Sequence, residues 1–236
     1  MNTSAPNLVH SLVQIENLHF RWPDQAEDLL SISNLSIEQS RHTFIQGSSG
    51  SGKTTLLNLL CGINLCTQGR LTVLEKELNQ LSSQKRDEFR GDHLGVIFQQ
   101  FNLLPFLSVK ENIQLPCRFS SKRANKVNDM SEEVFRLLDA LDLPSSLLDK
   151  AVTELSAGQQ QRVAACRAMI GSPELIIADE PTSALDMQNR DRFLQLLFQE
   201  ADKHASTILF VSHDPGIAHH FADKIDLTEV NQRGNL

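Results

Sequence analysis

Residues 47–55 read GSSGSGKTT, and their types and spacing suit a phosphate chain. In the loop Gly47, Ser48, Ser49, Gly50, Ser51, Gly52, the three glycines let the backbone turn tightly and aim its N–H groups at phosphate oxygens. The helix expected to follow adds its positive N-terminus. Lys53 can reach the outer phosphates, and Thr54, followed by Thr55, offers a hydroxyl to Mg²⁺. The complete GxxxxGK[ST] pattern between an apolar strand and an apolar helix predicts a nucleoside triphosphate site.

A second chemical group stands at LIIADE (175–180). Five mainly apolar residues form a buried strand that ends in Asp179, at the sheet edge where open α/β folds bind ligands. Asp179 is placed to hold Mg²⁺, directly or through water. Glu180, one residue on, is a carboxylate able to orient water and accept its proton.

The third is LSAGQQQR (155–162). Ser156 followed by Gln159 spells a capping box, so a helix should begin here. Gly158 in its first turn is a poor helix former. The stretch carries no lysine and no acid for Mg²⁺, so it cannot duplicate the first site. It can offer the Ser156 hydroxyl, the Gly158 N–H and a helix N-terminus to a phosphate.

These groups need a frame. VQIENLHF (13–20) and SISNLSIEQ (31–39) read as neighbouring strands, and HTFIQ (42–46) as a strand feeding the glycine loop. KTTLLNLLCG (53–62) reads as a helix ending at Gly62, and LGVIFQ (94–99) as another strand. The pattern is helical from about 105 to 170, clearest in EEVFRLLDALDL (132–143). LIIAD (175–179) and TILFV (207–211) are continuous apolar runs, as in buried parallel strands. Between them MQNRDRFLQLLFQEADKH (187–204) is amphipathic, with Phe193, Leu196 and Leu197 on one face. The order predicts an α/β fold: a mainly parallel core sheet, an N-terminal antiparallel β-subdomain and a helical insertion lobe. We expect one domain over 1–236, with a core lobe at about 13–90 and 165–231 and a helical lobe at about 91–164.

Composition narrows the classes further. Lys and Arg number 22 against 29 Asp and Glu, a net charge of −7, so no basic excess exists to bind nucleic acid. Cys61, Cys66, Cys117 and Cys166 show neither a CxxC pair nor metal-ligand spacing, which predicts free thiols in a reducing compartment. MNTSAPNLVHSL lacks the charge and apolar core of a signal peptide, and no apolar run is long enough to span a membrane. The expectation is a soluble, cytoplasmic protein.

With IFQQ (97–100), SALD (183–186) and VSHD (211–214) added, the chain resembles the ATP-binding subunit of ABC transporters, from about Val13 to Asn231. The six motifs appear in that family's order. The resemblance implies a P-loop ATPase whose subunits, two copies or paralogues, pair head to tail. The LSAGQ helix of one then covers ATP on the glycine loop of the other, in trans through Ser156, Ala157, Gly158 and Gln159. This explains the glycine at 158, which lets a foreign phosphate approach the backbone. The family usually has Gly where this chain has Ala157; retained function is expected. Gln99 resembles the glutamine that reaches the metal and attacking water. His213 resembles the histidine that contacts the γ-phosphate and supports Glu180. Asp186 matches a loop crossing the dimer interface, and Trp22 stands where an aromatic stacks on adenine.

The resemblance also implies integral-membrane permease subunits as partners, and a peripheral location on the inner face of the cell membrane. QFNLLPFLSVKENI (100–113) looks most like the branch serving lipoprotein release, macrolide export and cell-division permeases. Some of Phe101, Leu103, Leu104, Phe106 and Leu107 are expected to line an apolar groove for a permease helix. An exporter or lipoprotein-release subunit is the first reading. A force-transmitting cell-division type, or an importer subunit, is the alternative. The long coiled-coil insertion or zinc motifs of a DNA-repair ATPase, and the paired cassettes of a ribosome-associated factor, are not visible.

Overall fold

The computed structural model describes residues 11–183 and 185–232. Opening the chain are β1 (Ser11–Phe20), β2 (Leu30–Glu38), β3 (Thr43–Gln46), α1 (Lys53–Leu60), β4 (Gln68–Val73), β5 (Lys76–Glu77) and α2 (Ser83–His93). The middle holds β6 (Leu94–Ile97), α3 (Val109–Phe119), α4 (Ser121–Ala124), α5 (Met130–Ala140) and α6 (Ala157–Met169). Closing it are β7 (Leu175–Asp179), α7 (Met187–Lys203), β8 (Thr207–Val211), β9 (Asp223–Asp226) and α8 (Leu227–Val230). The N-terminal dozen read for a signal peptide falls mostly on residues outside those described, as does Ala184 of SALD.

Five strands in the order β6-β7-β8-β3-β9 form a sheet in which every pairing is parallel. Its strands alternate their burial between two cores. Phe44, Ile97, Ile176, Ala178, Ile208 and Phe210 enter one with α3, α5, α6 and α7. Ile45, Leu94, Leu175, Ile177, Leu209 and Val211 enter the other, with α1 and the second sheet. Strands buried on both faces must be apolar at every position, which is why LIIAD and TILFV lack the period-2 pattern. That second sheet, β2-β1-β4-β5, is antiparallel and draws two strands from beyond α1.

The helical insertion begins later than expected. A boundary near 91 put LGVIFQ in the helical lobe, yet β6 pairs with β7 from Leu94↔Leu175 to Ile97↔Ala178. Its apolar residues are worth more against that sheet than in a surface lobe. Asn112, fully buried in α3, ties the incoming loop by accepting from the Leu104 N–H at 2.8 Å and donating to the Leu104 and Leu107 carbonyls. The α7 face against the core is Phe193, Leu194, Leu197 and Ala201, with Leu196 only half-buried at its edge.

Candidate functional site

All five core strands point their C-terminal ends the same way, and the chemical groups collect there. β3 runs into the glycine loop. Gly50 (φ 76°) and Gly52 (φ 101°) occupy the left-handed region, and a Cβ on Gly47 would meet Ser51 Oγ at 2.6 Å. The turn itself thus calls for glycine at 50 and 52, and the Ser51 side chain crowds position 47. Lys53 donates from Nζ to the carbonyls of Gly47 (2.6 Å) and Ser48 (3.1 Å), which holds its ammonium over the loop. Thr55 and Ser51 are buried beneath it.

Asp179 ends β7, two strands from β3. Burial pushes its carboxyl above the usual range and the neighbouring Glu180 adds to this, while Lys53 and a hydrogen bond with Thr54 oppose it. A carboxylate raised by burial and a like charge, beside a threonine hydroxyl, is a hard-oxygen setting that fits a divalent cation. Glu180 is 9% exposed and sits at φ 47°, its N–H bonded to Val211 O at 2.9 Å. A glutamate in that conformation costs about 1–3 kcal/mol, and the surroundings hold it there. The His213 N–H donates to Glu180 Oε1 (3.1 Å), Ser212 Oγ to Oε2 (3.3 Å), and His213 Nδ1 lies 2.8 Å from both oxygens. The strand register explains the meeting. Asp179 pairs with Val211, so the residues leaving β7 and β8 stand side by side. Ile97 pairs with Ala178, so Gln99 and Glu180 each stand two residues past a paired position; Gln99 is exposed.

LSAGQ builds the predicted helix start. Ser156 caps α6, its Oγ accepting from Gln159 N–H (3.3 Å) while Gln159 Oε1 accepts from Ser156 N–H (3.0 Å). Ser156 and Ala157 are exposed. A Cβ on Gly158 would meet only Leu185 Cδ2, at an ordinary 3.5 Å, so packing within this chain does not demand glycine. No hydrogen bond among the described residues joins 155–159 to 47–55. Asp186 caps α7 by accepting from the Asn189 N–H (2.9 Å), which holds its carboxyl below the usual range. Trp22 is 40% exposed and meets Phe20 at 84° with ring centroids 5.1 Å apart.

Several residues about the site carried no signal in the sequence. Asn231 accepts from Ser31 N–H (2.8 Å) and donates to Leu29 O (3.0 Å) and Ser51 O (3.4 Å), tying the last turn to β2 and the glycine loop. Gln46 donates to Asp226 at 2.9 Å, and Arg190 of α7 holds Asp214 at 2.7 Å. Ser212 and Asp214 were legible only as members of VSHD.

The five apolar residues read for a groove do not share one surface. Phe101 and Leu103 pack against the core, Leu104 and Leu107 are half-buried, and Phe106 is 78% exposed. None of the five lines the cavity of about 330 Å³ between α2, β6 and α3, whose walls include Arg90, Phe98, Leu115, Phe119 and Arg167. The loop folds Phe101 and Leu103 inward, and the apolar lining comes from residues before and after it. Among the described residues no helix is long and apolar enough to cross a membrane, and Cys61, Cys66, Cys117 and Cys166 are free.

Comparison with known proteins agrees with this geometry. Residues 30–183 match the family model described as ABC transporter. The chain is 40% identical over 190 residues to a macrolide export ATP-binding/permease protein of Campylobacter jejuni, covering 80% of this chain and 29% of that one. It therefore spans under a third of such relatives. It is 36% identical over 207 residues to a bacitracin export ATP-binding protein of Halalkalibacterium halodurans, covering 87% and 80%. The dimeric post-hydrolysis structure of the ATP-binding cassette MJ0796 with ADP and Pi superposes with a TM-score of 0.79 at 30% identity, over 91% of this chain and 93% of that one. With the family model over most of its length and the fold of a solved cassette, the chain belongs to the ABC transporter family and is one of its ATP-hydrolysing cassettes.

Proposed function

We propose that this chain is the motor subunit of an export-type membrane complex, in which a head-to-tail pair of cassettes closes over MgATP and moves a permease. The observation that carries the hydrolytic part is Glu180. It is nearly buried, and its carboxylate is fixed by Ser212 and His213 beside Asp179. Held there, it can orient a water toward the γ-phosphorus and take its proton as the new P–O bond forms and the bond to ADP breaks. The glycine-loop amides and Lys53 bind and orient the phosphates, and Trp22 offers a ring to the adenine. Thr54, Asp179 and Gln99 would hold Mg²⁺, which when bound supplies positive charge to the phosphates. His213 Nδ1, against the Glu180 carboxylate, holds a proton at that nitrogen and keeps the base in place.

Ser156 and Ala157 stand exposed, Gly158 is half-buried, and none of them bonds to its own glycine loop, which supports their service to a second subunit; Asp186 is exposed as well. The cavity beside Phe98 and Phe119 suits a short apolar helix of a permease. The export relatives favour an exporter over an importer, and the location follows from the permease: peripheral, at the inner face of the membrane.

Glu180→Gln keeps the shape and removes the base. The variant should bind ATP, form a dimer at saturating MgATP, and hydrolyse it about 10²–10⁴ times more slowly than wild type. ATPase rates with light scattering decide this; turnover near the wild-type rate removes Glu180 from the role of base.

A further inference from the structure

Arg167 lies in the last turn of α6, outside the six motifs, and is 9% exposed. Its guanidinium donates from Nη1 to the Asn102 carbonyl and from Nη2 to the Phe101 carbonyl, each at 2.6 Å. Those two residues turn the chain just after Gln99. Both have positive φ, 59° at Phe101 and 48° at Asn102, and neither is glycine. The turn is closed by Phe101 N–H to Phe98 O (2.9 Å) and Asn102 N–H to Gln100 O (2.6 Å). Two consecutive left-handed residues, one of them aromatic, persist only where neighbours hold them.

The helix end that carries Arg167 is itself tied to β6. Arg123, fully buried, donates to the carbonyls of Ile170 (2.8 Å) and Ala168 (2.8 Å) at the end of α6, and of Leu94 (3.1 Å) in β6. β6 leads directly to Gln99. At Gly95 the packing of β6 on α6 is so close that a Cβ would meet Ala168 O at 2.2 Å. The helix that begins at Ser156 and the strand that delivers Gln99 are thus packed and bonded together, and Arg167 is the strut from them to the turn.

We propose that Arg167 is a positioning residue for ATP hydrolysis: its forked guanidinium locks the Phe101–Asn102 corner and so fixes Gln99 relative to the helix that starts at Ser156. The inference rests on the reading of Gln99 and Ser156 given above. Arg167 bonds the Phe101 and Asn102 carbonyls and acts through Gln99. Through it, contact of Ser156 with a nucleotide on the second subunit is felt at the Gln99 loop of its own subunit. Arg167 also lines the cavity beside Phe98 and Phe119, so a helix seated there presses on the same strut.

The test uses the full chain and a kinetic split. Arg167→Lys keeps the charge and cannot fork to two carbonyls. It should lower kcat about tenfold, the usual scale for an outer-shell contact, and leave KM for ATP within about twofold. Asn102→Pro leaves Arg167 in place and forbids the positive φ at an exposed position, so it should reproduce the loss even where Arg167→Lys folds poorly. In a Gln99→Ala background, adding Arg167→Lys should lower kcat less than about twofold, because the group it acts through is gone. The same tenfold loss in both backgrounds, a wild-type kcat for Asn102→Pro or for Gln99→Ala, or a loss confined to KM would each overturn the proposal. Its failure is separable from failure of the functional reading, which Glu180→Gln tests alone.

Discussion

At the scale of single residues, the site concentrates negative charge where the chain supplies little to offset it. Asp179 is raised above its ordinary 3.8 by burial first and by Glu180 second. A carboxyl whose folded pKa lies above its unfolded one contributes stability that is full below the unfolded value and is lost as pH rises through the folded one. Ionised Asp179 is thus a burden on the nucleotide-free fold at neutral pH. Asp179→Asn should stabilise that form at pH 7.5, with the advantage shrinking as pH falls toward 3.8, and should abolish ATP turnover. Denaturant unfolding across pH measures the first effect, and an advantage that stays flat with pH would show that Asp179 is not the titrating group. Stability given up at a functional position is expected where an ion completes the site. The buried thiols, by contrast, are inert: burial pushes Cys61 up to about 12, away from any nucleophilic role.

At the scale of elements, arginine side chains tie neighbouring helices together by bonding the carbonyls at helix ends. Arg86 and Arg90 of α2 donate to the carbonyls of Gly62 (3.1 Å) and Cys61 (3.0 Å), beyond the last turn of the phosphate-loop helix α1. Arg123 does the same for α6. Burial pushes its guanidinium down to about 10, yet it remains charged at neutral pH and carbonyl oxygens surround it. Gly171 follows at φ 68°, and a Cβ there would meet Arg123 Cβ at 2.7 Å, so the two positions are fitted to each other. Arg123→Leu leaves several buried carbonyls without donors and should destabilise the protein by about 3 kcal/mol. Urea unfolding gives the value; a change below about 1 kcal/mol would mean that water replaces the guanidinium there.

At the scale of the whole molecule, one cavity is lined by side chains that reach toward the nucleotide end. The cavity between α2, β6 and α3 touches Arg90, which reaches α1, and Arg167, which reaches the Gln99 turn. An occupant of that cavity thereby bears on both. Phe119, 81% exposed at its rim, contributes little to the fold. Phe119→Asp should change stability by no more than about 0.5 kcal/mol, as surface substitutions do, and keep basal ATPase. Recovery of the permease with it from membranes should fall about tenfold or more, because a charge would be buried in an apolar contact. Full recovery would place the permease contact elsewhere, with the exposed Phe106 as the next position to substitute.

Much of the chemistry was legible because it is local. A loop that must turn through positive φ at Gly50 and Gly52 has to spell them as glycine, and strands buried on both faces have to be apolar throughout. Ser156 and Gln159 meet because a capping box spans three residues. The highly charged α2, with only Phe89 buried, and the short β4, β5 and β9 gave no such pattern. What the tertiary structure alone decided lies between residues far apart in the chain. The hold of Ser212 and His213 on Glu180 spans 32 and 33 residues, that of Arg167 on Asn102 spans 65, and that of Asn231 on Ser51 spans 180. Such contacts follow from strand order and register, which pack an apolar run against whichever neighbour buries it best, and no spacing within either segment records the partner. β6 lies at the sheet edge and Phe98 on the cavity wall for that reason.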